Sequence, residues 1–295
     1  MEKVKSFFTK LWKRIKKITP TEVFTFMLFL LIMYPFYIVL INASKTSDDI
    51  TNNPSALPRD LTIFFQNVGN ILADGRINFL GSAFNSFIIT SLSLLLIGIS
   101  SSMAAWVLVR TKTRLSFSIF IFIIAGLVIP FQIVMLPLTT LLDTLFDITG
   151  FAWKDTYHGV IIAYMGFGAP LSVFLFHGFI KSIPMDIEEA ATIDGCNKPQ
   201  IFFRIILPIL KPIFVTLLVL NGMWIWNDYL LPFLIIGVAG DTQTIPLAVQ
   251  YLQGQYVRQW DLLLTALVLA AIPVVVLFLF AQKHIIKGMT SGAVK

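Results

Sequence analysis

Apolar residues fall in stretches of about twenty, the length needed to cross a bilayer as a helix, separated by short polar or Pro/Gly-rich punctuation. Six such stretches are predicted as spans, roughly Val23 to Ile41, Ala83 to Val109, Phe117 to Leu142, Gly159 to Ile180, Pro212 to Ile236 and Leu262 to Ala281. Pro130 and Pro137 interrupt the third, Pro170 the fourth and Pro273 the sixth, which spans tolerate when neighbouring helices satisfy the freed backbone groups. Ahead of them, residues 1–20 alternate basic positions with Phe7, Phe8, Leu11, Trp12, Ile15 and Ile18. That spacing predicts an amphipathic helix lying on the inner leaflet. A cleavable signal peptide competes as a reading of this end; against it, the apolar stretch that follows is long enough to span, and no convincing small-residue cleavage site comes after it.

Composition agrees with a lipid solvent. The chain is 57% hydrophobic and 13% charged, with 27 Phe, against roughly a quarter charged in soluble domains. The net charge of +6 would suit nucleic acid, but its placement explains it otherwise. Of the 22 Lys and Arg, only Lys45, Arg59, Arg76, Lys154 and Arg258 lie on one set of alternating loops. Basic residues concentrate on cytoplasmic segments, so both termini are expected to be cytoplasmic, with external loops at 42–82, 143–158 and 237–261. The single cysteine, Cys196, excludes an intrachain disulfide and a cysteine metal cluster. No HExxH spacing, phosphate-binding GxxxxGK[ST] loop or GxSxG elbow occurs, and Gly288, Gly292 and Lys295 mimic a phosphate loop only with the wrong spacing. No metal, no catalytic residue and no cofactor of its own is expected.

The cytoplasmic loop 181–211 predicts two short helices around a sharp turn. Ser182 precedes Pro184, and Asp186, Glu188 and Glu189 sit at the positive end of the first helix. Ala190 and Ala191 offer a smooth surface. Gly195 suits a left-handed helix end, and Asn197 with Gln200 three residues on suits a capping box for the second helix, along which lie Ile201, Phe202, Ile205 and Ile206. An ordinary amphipathic connector is the plain alternative.

These residues carry a resemblance. Glu189-Ala190-Ala191, Asp194-Gly195 and then Ile206-Leu207-Pro208 resemble the EAA motif of permease subunits of binding-protein-dependent ABC importers. Trp226-Asn227-Asp228-Tyr229 with Pro232, and the ending from Gln282 to Lys295, resemble the sugar branch of that family, that of the maltose-type second permease. The similarity runs from about residue 20 onward, is weak over Ser47 to Gly81, and departs from the family pattern at Cys196, where a small residue is common. It implies an all-α, type I importer permease of six transmembrane helices, residues 21–295, in a prokaryotic plasma membrane, working as a heterodimer with a homologous permease. It further implies two ATP-binding subunits carrying ATP and Mg, an extracytoplasmic solute-binding protein, and a disaccharide or oligosaccharide as substrate. Glu188, Glu189, Ala190, Ala191, Asp194, Gly195, Leu207 and Pro208 would then couple to the ATPase.

Two substrate-facing regions follow. Trp224, Trp226, Asn227, Asp228 and Tyr229 combine a carboxylate, which is costly inside a bilayer and usually faces a cavity or partner, with rings able to stack on a sugar. Counted from Pro212, Asp228 falls about 25 Å along a helix, toward the outer side. A structural hydrogen-bond network within an interfacial aromatic belt is the competing reading. Gln250, Tyr251, Gln253 and Tyr256, in a loop also holding Gln243, Thr244 and Trp260, suit contact with the binding protein or equally a plain solvated loop. His177 is expected to be a packing residue, and His158 and His284 lie far apart in the chain. An importer permease for a non-sugar solute, an independent ion-coupled carrier and a membrane-embedded enzyme remain alternatives. The lone Asp228 and the absence of a visible repeat weigh against a carrier, and too few polar residues lie within the spans for an enzyme.

Overall fold

A computed structural model describes residues 19–75, 77–237, 242–253 and 259–293. The N-terminal segment expected to form an interfacial helix lies outside them, apart from its last two residues. Everything regular among the described residues is helical. α1 (Pro20–Asn42) opens with a capping box: the Glu22 amide donates to Thr19 Oγ1 (3.3 Å) and the Thr19 amide to Glu22 Oε2 (2.7 Å). It is apolar and exposed nearly all round, as a helix facing lipid or another membrane protein should be. α2 (Ser47–Asn52) and α3 (Thr62–Ala73) follow, and α4 (Phe79–Arg110) runs the height of the molecule.

The third expected span is not one helix. α5 (Arg114–Ala125) stops and α6 (Phe131–Thr149) begins after a break at 126–130. Pro130 has no amide hydrogen, and its ring pushes the preceding residue out of helical conformation. The end of α5 tightens instead through bonds of three-residue reach, from Gly126 to Ile123, Leu127 to Ile124 and Val128 to Ala125. α7 (Tyr157–Ile180) is the most deeply embedded span and packs along α4. Small residues permit the close approach that membrane helices favour: a β-carbon on Gly168 would fall 2.6 Å from Ile97 Cδ1, and one on Gly98 2.4 Å from Phe214 Cε1.

The loop 181–211 forms α8 (Asp186–Ile193), α9 (Lys198–Ile201), a π-helical turn (Phe202–Ile206) and the single turn α10 (Leu207–Ile209). The π-turn answers Pro208, whose ring would strike the carbonyl four residues back in an α-helix. The chain then bends by 72° into α11 (Lys211–Asn227). The fifth expected span is also broken, because α11 ends at Asn227 and a separate α12 (Leu230–Ile235) follows. Pro232 lies four residues beyond Asp228 and cannot donate to its carbonyl, which favours a break there, although Pro137, Pro170 and Pro273 lie inside continuous helices. α13 (Ile245–Tyr251) and α14 (Trp260–Ala293) complete the chain.

Two buried clusters result. The larger joins α4, α7, α11 and the 181–211 loop, with Tyr164, Phe176, Phe202 and Ile206 almost wholly enclosed. The smaller lies at the opposite end of α4, among Ile71, Phe79, Ile245, Leu252 and Leu263. There polar side chains stitch the loops together: Lys45 Nζ donates to the Asn53 carbonyl (2.9 Å), Thr265 Oγ1 to Ala43 (2.9 Å), and Ser47 Oγ to Asp261 Oδ1 (2.8 Å). The 181–211 loop and these loops thus occupy opposite ends of the bundle.

Candidate functional site

The turn between α8 and α9 has a geometry that its sequence dictates. Gly195 sits at φ +85°, a region L side chains avoid. The Cys196 amide reaches back to the Ala191 carbonyl (2.9 Å) and the Gly195 amide to that of Thr192 (3.1 Å), the paired bonds of a Schellman ending. Asn197 then starts α9: the Gln200 amide donates to its Oδ1 (3.0 Å) and its own amide to Gln200 Oε1 (2.8 Å).

α8 divides its residues between two faces. Met185, Ile187, Glu189, Ala190 and Ile193 point outward, with Ile193 86% exposed. Exposed apolar side chains beside small residues thus form a surface on this short helix that none of the described residues covers, the kind of patch that marks an interaction site. Glu188 and Ala191 face inward. The Glu188 carboxylate is buried and takes hydrogen bonds from Arg110 Nε (2.7 Å) and Trp106 Nε1 (3.0 Å), both on α4. Asp194 is exposed in the turn, Leu207 is half-buried and Pro208 is exposed on α10. The eight residues assigned to coupling therefore lie in one unit at one end of the bundle, but Glu188 and Ala191 do not lie on its outer surface.

At the broken fifth span the structure assembles a group that the sequence showed only in part. Asp228 closes α11 in an extended conformation (φ −74°, ψ 126°). Its Oδ1 accepts the Leu230 amide (3.0 Å), starting α12, and its Oδ2 accepts the Tyr164 hydroxyl (3.0 Å) from α7. The exposed Trp224 meets Tyr164 edge-on with centroids 5.4 Å apart, and Tyr229 stacks on Phe233 at 5.4 Å. Trp226 takes another direction: its Nε1 donates to the Ala270 carbonyl of α14 (3.0 Å), beside Pro273. That bond fastens α11 to α14 and gives Trp226 a structural contact. Asn227 bonds back to Met223 within its own helix (2.7 Å). Tyr164 is the residue that sequence reasoning missed; a buried hydroxyl within an otherwise apolar span was its only signal.

Asp228→Asn should retain this architecture, since an amide can accept from Leu230 and donate to the Tyr164 oxygen. Where the carboxylate also accepts from a hydroxyl of the transported solute, the variant should nevertheless lower uptake about tenfold, the size of one hydrogen bond to a charged group. Uptake equal to wild type, measured with radiolabelled solute in cells, would leave Asp228 only the capping role.

In the loop expected to be the last external one, α13 buries Ile245, Leu247 and Val249 and exposes Gln250 and Tyr251. Gln250 Nε2 donates to Gln253 Oε1 (3.2 Å), and Tyr256 lies outside the described residues. His177 stacks on Phe120 with centroids 3.8 Å apart, as a packing residue does. Among the described residues no cluster of His, Cys, Asp and Glu is placed to hold a metal.

Residues 95–291 match the family described as the binding-protein-dependent transport system inner membrane component. The chain belongs to this family. It is a multi-pass membrane permease subunit of an ABC importer and not an enzyme, which sets aside the independent carrier and the membrane enzyme. Similar permeases include the probable starch degradation products transport system permease protein AmyC of Thermoanaerobacterium thermosulfurigenes, 40% identical over 266 residues, covering 90% of this chain and 93% of the relative. The multiple sugar-binding transport system permease protein MsmG of Streptococcus mutans is 36% identical over 270 residues, covering 90% and 93%. A bacterial ABC transporter that imports the acidic polysaccharide alginate shares the permease fold, with a TM-score of 0.73 at 22% identity, over 89% of this chain and 94% of that one.

Proposed function

We propose that this permease forms half of the translocation pathway of an ATP-driven importer of a disaccharide or oligosaccharide. The other half is a homologous permease, two ATP-binding subunits hold ATP and Mg, and an extracytoplasmic solute-binding protein delivers the sugar. Both termini are placed in the cytoplasm, a reading supported by the concentration of Lys and Arg in the loops on that side. The observation that carries the reading is the outward face of α8, with Ile187, Glu189, Ala190 and Ile193 presented by the turn at Gly195. On this reading it seats in the ATPase, and ATP-driven closure moves α8 and with it the spans, alternating access to the path beside Asp228. The sugar assignment is supported by the relatives named for starch products and for multiple sugars, and by the aromatic and polar side chains Trp224, Asp228 and Tyr229 at the break. The outward side chains Gln250, Tyr251 and Gln253 of the opposite end are assigned to the binding protein.

The test is uptake by cells expressing the complete transporter, across a panel of labelled di- and oligosaccharides with amino acids and phosphate as controls. Uptake of one sugar class that needs both the binding protein and ATP is the expected result. Uptake of a non-sugar solute with no sugar transported would overturn the substrate assignment while leaving the permease reading in place.

A further inference from the structure

Glu188 is the one carboxylate of α8 turned toward the membrane helices, and it is 5% exposed. A charge so placed is retained only with full partnering. Its Oε1 accepts from Arg110 Nε at 2.7 Å, with Nη2 of the same guanidinium in ion-pair contact at 2.7 Å, and its Oε2 accepts from Trp106 Nε1 at 3.0 Å. Arg110 Nη2 also donates to the Ile183 carbonyl (3.1 Å), in the turn before α8. The Trp106 ring lies against Phe202 of the π-turn, centroids 5.5 Å apart. The segment before α8, α8 itself and the segment after it are thus all held by the last two turns of α4.

The kind of contact matters as much as its strength. Apolar surfaces can slide over one another, whereas a planar guanidinium bonded to a carboxylate fixes both distance and direction. α4 is continuous from this point to Asn85, about 37 Å away. There Asn85 Nδ2 donates to the Gln243 carbonyl (2.9 Å), Asn85 Oδ1 accepts from Tyr157 (2.6 Å), and Ser86 Oγ accepts the Ile245 amide (2.8 Å). One helix therefore grips the coupling loop at one end and the last external loop at the other.

We propose that Glu188, with Arg110 and Trp106, is the strut that delivers displacement of α8 to α4, and through α4 to the contacts at Asn85. Glu188 is on this view a positioning residue and makes no contact with the ATPase. The proposal rests on the reading that an ATPase docks on the outer face of α8.

The experiment uses the full complex in lipid nanodiscs and proteoliposomes, comparing wild type with Glu188→Gln and with the double variant Glu188→Met/Arg110→Met. Gln keeps the shape of Glu188 but turns one acceptor into a donor. The double variant removes both charges, so that no buried charge is stranded, a replacement cores often accept without loss of stability. Solute moved per ATP hydrolysed should fall about tenfold in both, within the usual range of coupling between sites, while the ATPase subunits co-purify at wild-type stoichiometry. A wild-type ratio in the double variant would overturn the strut alone. Loss of the ATPases from the double variant, or hydrolysis and transport falling in parallel, would reduce the pair to a stabilising contact and overturn it too. Absence of any ATPase from the wild-type complex would instead overturn the docking reading on which the strut rests.

Discussion

Gly195→Val should abolish transport while the chain still inserts into the membrane and purifies as a folded permease. Gly195 holds φ at +85° with no neighbouring atom within 4 Å of where a β-carbon would sit, so the penalty is conformational and not a clash. A left-handed L residue costs roughly 1–2 kcal/mol, and β-branching adds to it. Relaxing that strain means giving up the bonds from Cys196 to Ala191 and from Gly195 to Thr192, which set the angle between α8 and α9. A helix of eight residues at the tip of a loop has little else to hold its direction. The spans, by contrast, are far from the change. Asn visits the left-handed region far more readily than Val, so Gly195→Asn should retain measurable uptake. Size-exclusion profiles and labelled-solute uptake on the three proteins check this; ordinary uptake by the Val variant would contradict the turn's role in coupling.

A smaller substitution should do more structural damage. Gly159→Ala adds one methyl group, yet a β-carbon there would lie 1.8 Å from the Trp153 carbonyl oxygen, inside any tolerable contact. The obstacle is backbone, so no rotamer change relieves it. Gly159 is in the first turn of α7, where its amide donates to Thr156 Oγ1 (3.4 Å) and Thr156 in turn donates to the Trp153 carbonyl (3.0 Å). Moving that strand of loop also disturbs Asp155, whose amide bonds the Ile235 carbonyl at the end of α12 (2.9 Å), close to the Asp228 break. Overpacking of this kind costs about 3 kcal/mol or more, and should appear as a lowered thermal aggregation temperature in detergent. Gly178→Ala, in the same helix with open space around it, is the control and should melt with wild type.

These two glycines show what a sequence can and cannot disclose. Gly195 was legible because its conformation is local: a helix end followed by a capping residue three positions before Gln200 leaves the turn few other forms. Gly159 was not, because its constraint is a carbonyl brought close by the folded loop. The spans were legible as apolar runs, but their breaks were not: Pro130 and Pro232 accompany the two breaks, yet Pro137, Pro170 and Pro273 lie inside continuous helices, so a proline alone does not decide one. The partners of the two carboxylates were beyond reach. Glu188 is 78 positions from Arg110, and Asp228 is 64 from Tyr164, so only the packing of α4 and α7 brings each pair together. The motif around Glu189 drew attention to this loop, but a list of coupling residues does not say which face each takes, and Glu188 and Ala191, three apart on a short helix, share the buried one. The bond of Trp226 was equally out of reach, since its acceptor lies on α14.

The most direct test of the account is ATP hydrolysis by the co-purified complex in lipid nanodiscs, with and without its solute-binding protein and a panel of oligosaccharides. The account predicts that ATPase subunits accompany this permease and that one sugar-loaded binding protein stimulates hydrolysis severalfold, with the Gly195→Val complex unresponsive. A folded permease that purifies with no ATPase, under conditions that keep the wild-type membrane protein intact, would contradict it.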